Sequence, residues 1–246
     1  NFSVSENGLL VFDPSSTRQR NELIWVDREG KKLSSLDELT NSGIVVLSAD
    51  EQRLAIARRD PQTGNSDLWL SDASGKGLTR FTFDPANDDF PVWSPDGQQI
   101  FWTSNKTGTY QIYQKAANGS GDESIALSSD SYKFPTDWSR DGRYVIYRVV
   151  NPNTKYDIWV LPIGAGDQKP FPFLESDANE AAAVLSPDGQ WMAYASDESG
   201  QYEVYVQSFP NHGSKRQVST SGGIGPKWAG NELFYQALDG KLMGTT

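Results

Sequence analysis

A turn of the form Ser-Pro-Asp-Gly recurs along this chain at a spacing that a repeat architecture explains. Trp93-Ser94-Pro95-Asp96-Gly97, Trp138-Ser139-Arg140-Asp141-Gly142 and Leu185-Ser186-Pro187-Asp188-Gly189 are the plainest copies. Ser48-Ala49-Asp50-Glu51 and Ser5-Glu6-Asn7-Gly8 are weaker, and Trp228-Ala229-Gly230-Asn231 is degenerate. Anchored on the serine, or on Ala229 in the last, the copies stand at 5, 48, 94, 139, 186 and 229, with steps of 43, 46, 45, 47 and 43. A period near 45 residues that contains only strand signals is the length of a four-stranded propeller blade.

A second landmark keeps the same register. About twenty residues after each serine comes a polar residue, then an aliphatic, an aromatic and often another aliphatic. The copies are Glu22-Leu23-Ile24-Trp25-Val26, Asp67-Leu68-Trp69-Leu70, Gln111-Ile112-Tyr113, Asp157-Ile158-Trp159-Val160 and Glu203-Val204-Tyr205-Val206, with Lys241-Leu242-Met243 shortened. Runs such as Ile100-Phe101-Trp102 are apolar on both faces, as stacked blades require. No segment carries a capped 3.6-residue period, so almost no helix is expected.

These features predict an all-β, six-bladed β-propeller of four-stranded antiparallel blades in a single domain, 1–246. The repeats fall at about 1–42, 43–88, 89–133, 134–180, 181–223 and 224–246. The sixth repeat ends before a fourth strand, so its blade is expected to have three. Asn1 stands where Met would, which suggests a processed piece of a longer protein. Gly97, Gly142 and Gly189 are expected at positive φ in the turns between first and second strands.

Composition narrows the partners. The net charge of -10 removes the basic footprint that nucleic acid or anionic lipid needs. There is no cysteine, so thiolate chemistry and Cys-ligated metals are excluded. No apolar run is long enough to insert into a membrane. No nucleophile elbow, phosphate loop, dinucleotide fingerprint, HExxH or kinase motif occurs. The one histidine, His212, lies in the turn sequence Pro210-Asn211-His212-Gly213 and reads as a solvated loop residue. Asp96, Asp141 and Asp188 read as turn residues, and Trp93, Trp138 and Trp228 as packing between blades.

The connections from the fourth strand of one blade to the first strand of the next are not demanded by the repeat. They read Asp84-Pro85-Ala86-Asn87-Asp88-Asp89, Asp130-Ser131-Tyr132-Lys133 and Glu175-Ser176-Asp177-Ala178-Asn179-Glu180. Their bland reading is a set of solvated acidic loops. The sharper one is a ligand-binding channel mouth made by Asp88, Asp89, Asp130, Asp177, Asn179 and Glu180, suited to a cationic partner or a metal ion.

The Ser-Pro-Asp-Gly turn and the later acidic–aliphatic–aromatic strand resemble the TolB-like, WD-type propeller repeat of bacteria. Leu185 to Val206 (LSPDGQWMAYASDESGQYEVYV) and Phe81 to Ser104 (FTFDPANDDFPVWSPDGQQIFWTS) carry the resemblance. Within that group the chain resembles most the propeller behind the kinase domain of bacterial membrane-bound serine/threonine kinases. The resemblance implies a periplasmic or other extracytoplasmic location and a non-catalytic sensor or scaffold module that binds a protein or peptide as a monomer, without a cofactor. Two alternatives share the repeat: a gating propeller of a prolyl-oligopeptidase-like serine peptidase, and a stand-alone periplasmic TolB-like protein. A propeller enzyme with its site in the channel is a further possibility, against which the scarcity of histidine counts.

Overall fold

The computed structural model describes residues 2–6, 8–12, 23–36, 42–128, 130–164 and 169–246. Asn7 and Glu22, which belong to the two sequence landmarks, lie outside them. The chain forms two compact units, Asn1–Asp130 and Ser131–Thr246. Each carries three antiparallel sheets whose strands follow one another in chain order.

In the first unit, blade one holds β1 (Phe2–Val4), β2 (Leu10–Phe12), β3 (Ile24–Val26) and β4 (Lys32–Ser35). Blade two holds β5 (Ser42–Leu47), β6 (Arg53–Arg59), β7 (Ser66–Asp72) and β8 (Thr79–Arg80). Blade three holds β9 (Asp88–Trp93), β10 (Gln99–Ser104), β11 (Gln111–Ala116) and β12 (Ser124–Leu127). In the second unit, blade four holds β13 (Lys133–Trp138), β14 (Tyr144–Asn151), β15 (Lys155–Pro162) and β16 (Phe171–Leu174). Blade five holds β17 (Glu180–Leu185), β18 (Trp191–Ser196), β19 (Glu203–Ser208) and β20 (Lys215–Gln217). Blade six has three strands, β21 (Ile224–Ala229), β22 (Glu232–Gln236) and β23 (Leu242–Thr245). This is the expected six-bladed all-β propeller fold, with a three-stranded last blade and no helix among the described residues.

The turn after the first strand of blades two to five is a small hydrogen-bonded latch. In blade three the Ser94 hydroxyl donates to Asp96 and accepts the Gln99 N–H at 2.8 Å, while Asp96 accepts the Gln98 N–H at 2.9 Å. Gly97 N–H closes onto Ser94 O at 2.8 Å. Ser48–Asp50, Ser139–Asp141 and Ser186–Asp188 repeat the arrangement. The serine bond in particular holds Asp50, Asp96 and Asp188 below the ordinary carboxylate range. These aspartates are therefore turn residues, as expected.

Gly97, Gly142 and Gly189 take φ of 67°, 77° and 68°, and Glu51 holds the same place in the weaker copy at 59°. A β-branched side chain is strained there, so Gly189→Val should cost about 1–2 kcal/mol in urea unfolding. Gly97→Val should cost more, because a Cβ at Gly97 would displace the Arg53 guanidinium from its bond to Gly97 O and from the Trp93 ring. Equal costs at the two sites would contradict that ordering.

Packing between neighbouring sheets supplies the cores. Ala55, Ala57 and Leu68 of blade two meet Trp93, Ile100, Trp102 and Tyr113 of blade three. Ile146, Ile158 and Phe173 of blade four meet Met192, Tyr194 and Tyr205 of blade five. Burial of each such large side chain stabilises by roughly 1.5–3 kcal/mol. Trp93 also donates its indole N–H to Val46 O across the seam at 3.2 Å. Trp228 packs against a cluster that joins Val184 and Val204 of blade five to Leu233 and Tyr235 of blade six. Trp138 instead turns its indole N–H back onto Gly142 O of its own turn, at 3.2 Å.

First strands β5, β9, β13, β17 and β21 each shift register against their partner. In blades three, five and six this bulge holds Phe90, Ala182 and Gly225 at φ of 53°, 53° and 61°. A bulge lets pairing resume beyond the irregularity, so the first strands reach further toward their entry ends than the turn pattern alone indicates.

Candidate functional site at the strand-entry ends of the blades

Six residues before the turn serine, at the entry of the first strand, stand Ser42, Asp88, Lys133 and Glu180. All four are buried. Asp88, Asp89 and Glu180 were expected in connecting loops, and so was Lys133. The structure places them in strands, with Asp88 opposite Ser104, Asp89 opposite Thr103, Glu180 opposite Ser196 and Lys133 opposite Val149. The polar run Asn87-Asp88-Asp89 has the composition of a loop, but the bulge extends the strand through it.

The six candidate residues separate into three kinds. Asp130 and Asp177 are exposed. Asn179 is tied down: its backbone and side-chain N–H groups donate to Asp197 Oδ1 and Oδ2, each at 2.7 Å. Asn87, its counterpart in blade three, is held likewise, donating its N–H to Asn105 Oδ1 at 2.8 Å and accepting from Ser66 N–H at 3.1 Å. Asp88, Asp89 and Glu180 are withdrawn from solvent to differing degrees.

Asp88 Oδ1 accepts the Trp102 indole N–H at 3.2 Å, while Oδ2 is buried without a partner. Burial pushes this carboxyl up to about 6, and the Trp102 bond works against that. Burial also raises Asp89, whose carboxylate accepts the Phe90 N–H at 2.9 Å. In blade five, Ser176 Oγ donates to Glu180 Oε1, and Glu180 Oε2 is buried without a partner. Burial pushes Glu180 up to about 7, the Ser176 bond opposes this, and the charges of Asp157, Glu198 and Asp197 add to it.

The third strands enter at the same end, with the polar residue of the second landmark. Asp67 takes a bidentate pair of bonds from Arg80 Nη2, at 2.9 and 2.8 Å. Asp157 Oδ2 accepts from Asn151 at 3.0 Å and Thr154 at 2.7 Å, leaving Oδ1 buried without a partner. Glu203 accepts from Ser219 and from Gly222 N–H. These acids organise the blade ends. Among the described residues no group of three His, Cys, Asp or Glu is placed to hold a metal ion.

Two more charged residues escaped the sequence reading. Two places before the turn serine, blades two, three and five have Val46, Val92 and Val184, whereas blades four and six have Asp137 and Lys227. Laying the repeats over one another would have exposed both. Asp137 Oδ2 accepts Leu185 N–H of blade five at 2.6 Å. Burial pushes Asp137 up to about 6, against the Leu185 bond and the Lys227 charge. Burial lowers the Lys227 amine, and the Asp137 charge opposes that.

His212 lies in an exposed turn, as expected, but it is not idle. Its ring stacks on Phe173 with centroids 4.6 Å apart, and Nδ1 lies 3.2 Å from Gln207 Nε2.

The model of the TolB beta propeller domain matches residues 45–168. The uncharacterized protein Atu1656 of Agrobacterium fabrum is 35% identical over 69 residues, covering 28% of this chain and 24% of that protein. Tricorn protease homolog 1 of Streptomyces coelicolor is 23% identical over 113 residues, covering 45% of this chain and 11% of that protein. The chain therefore spans a minor part of these relatives. The crystal structure of TolB from Acinetobacter baumannii superposes with a TM-score of 0.72 at 19% identity, covering 96% of this chain and 62% of that one.

Proposed function

Since the chain belongs to the TolB β-propeller domain family, we propose that it is a non-catalytic module that binds a protein or peptide. The observation that carries this reading is the use of the polar groups. The recurring Ser–Asp sets are engaged in turn latches, and the Asn–Asp set of blade five holds a connection in place. The acids at the strand entries are buried or bonded, while Asp130 and Asp177 face solvent. Exposed carboxylates on otherwise structural ends suit recognition of a cationic segment.

The module works outside the cytoplasm, as the sensor or scaffold part of a larger bacterial protein. The likeness of its repeat to kinase-linked propellers is the ground for this reading. No helix among the described residues is long and apolar enough to cross a membrane. A peptidase-linked propeller is the second reading, and the match to Tricorn protease homolog 1 favours it. The gene that encodes the chain separates the two: a kinase region in the same reading frame supports the first, a hydrolase region the second.

Binding is tested by calorimetric titration with an acetylated octapeptide of alternating lysine and serine. Affinity should fall as salt rises from about 0.05 to about 0.3 M, because exposed charges are screened beyond about 8–10 Å near 0.15 M. Asp177→Asn should weaken binding by up to about 1 kcal/mol, the scale of exposed pairs. Affinity independent of salt would reject the electrostatic reading.

A further inference from the structure

We propose that Asn118 is a site of spontaneous covalent modification, where the side-chain amide becomes a carboxylate through a cyclic imide formed with Gly119, promoted by Ser120. The Gly119 backbone nitrogen attacks Asn118 Cγ and loses its proton to water or hydroxide, and Nδ2 leaves as ammonia. Water then adds to either carbonyl of the imide and opens it, giving aspartate or its β-linked isomer. Nothing is oxidised or reduced, and water is the only co-reactant. The site lies in the turn between β11 and β12 of blade three, wholly within the first unit. It depends neither on the strand-entry carboxylates nor on the binding reading above.

Three features of the turn favour the reaction. Asn118 and Gly119 are exposed, and a Cβ built on Gly119 would meet nothing within 4 Å, so the imide ring has room to form. Asn118 Oδ1 accepts two bonds from Ser120, from its N–H at 2.9 Å and from its hydroxyl at 2.6 Å. These donors polarise the carbonyl and stabilise the negative charge that develops on its oxygen as the nitrogen attacks. Nδ2, the leaving group, makes no hydrogen bond within the described residues. One bond works the other way: the Gly119 N–H is held on Ala116 O at 2.9 Å, so attack follows local opening of the turn.

The other asparagines of the described residues lack this combination, since each is followed by a residue whose side chain restricts the backbone from folding back onto Cγ. Asn151 precedes Pro152, which has no N–H to supply the nucleophile. Asn65 and Asn179 have their amide nitrogens engaged, on Pro85 O and Asp197 Oδ2, each at 2.7 Å. The turn also accepts the product. Between β3 and β4 of blade one the chain closes in the same way, with Gly30 N–H on Asp27 O at 3.0 Å. Gly30 and Gly119 take φ of 79° and 78°. Glu29 stands there in the place of Asn118 and is exposed, so a carboxylate side chain is compatible with this turn. At position 118 the new carboxylate would keep both Ser120 donors as charge-assisted bonds.

The test incubates the folded domain in mildly alkaline buffer and follows each asparagine by peptide mapping with mass spectrometry, which separates amide from acid and the two acid isomers from each other. Asn118 should convert at least about tenfold faster than any other asparagine of the described residues, and faster as pH rises. Ser120→Ala should slow conversion at least about threefold in the folded domain. The same variant should match wild type in urea, where the Ser120 bonds are absent. Gly119→Ala should slow conversion at least about tenfold in the urea-unfolded chain, a readout that does not depend on how well this variant folds. Earlier conversion of another described asparagine, or an intact Asn118 in folded domain while the unfolded chain converts, would overturn the proposal. An unchanged rate in folded Ser120→Ala would overturn it as well.

Discussion

Replacing Glu180 with glutamine is expected to stabilise the domain by about 2 kcal/mol near pH 8 and to change it little near pH 5. The folded-state pKa of Glu180 is about 7, against an ordinary 4.5. The protonated form is thus the one the fold prefers. Its contribution is fully present below the ordinary value and is lost as pH rises through about 7. Asp88 and Asp137, each raised to about 6, act in the same direction over a slightly lower window. The wild-type domain should therefore melt at a lower temperature near pH 8 than near pH 5. Glutamine keeps an acceptor for Ser176 and adds a permanent N–H donor where Glu180 Oε2 and Asp157 Oδ1 now lack partners. The figure is set below the full conversion of the shift because polar groups surround this blade end. Thermal melts of both proteins across the pH range check it. An Glu180→Gln variant with the same pH dependence as wild type would show that Glu180 is not the titrating group.

Asp137→Ala should cost about 2–4 kcal/mol in equilibrium urea unfolding. The substitution strips the acceptor from Leu185 N–H and removes the negative charge that offsets burial of Lys227. Asp137→Asn keeps an acceptor for Leu185 and should cost less than half as much. Lys227→Met should also destabilise near pH 8, because it removes the charge that offsets burial of Asp137, and should cost less near pH 5, where Asp137 is protonated. A cost below about 0.5 kcal/mol for Asp137→Ala would mean that the bond and the charge contribute little to the seam.

The contrast between these positions and the turns explains what was legible in the sequence. The turn latches were readable because one short segment supplies donor, acceptor and positive φ together, as Ser94, Asp96 and Gly97 do. Strand order and the three-stranded last blade followed from the spacing of two landmarks. The strand entries were harder, because they depend on bulges that carry no composition signal. Phe90 and Ala182 hold positive φ although neither residue type favours it. Asp88 and Glu180 were thus assigned to loops when they are buried strand residues. Asn179 carried a binding assignment, yet its bonds to Asp197 come from the next turn along, at a distance in sequence that pattern reading does not reach. Of the candidate set, Asp130 and Asp177 keep the exposure that the sequence reading expected.

The reading of this chain as a binding module is tested most directly by mapping where the lysine–serine octapeptide lands. Backbone amide shifts of ¹⁵N-labelled domain would be followed during the titration at low salt. The account predicts saturable changes concentrated around Asp177 and the neighbouring Asp197–Glu198 turn, reduced in the Asp177→Asn variant. Changes confined to the Ser-Asp turns or to the His212 loop, or none that saturate, would contradict it.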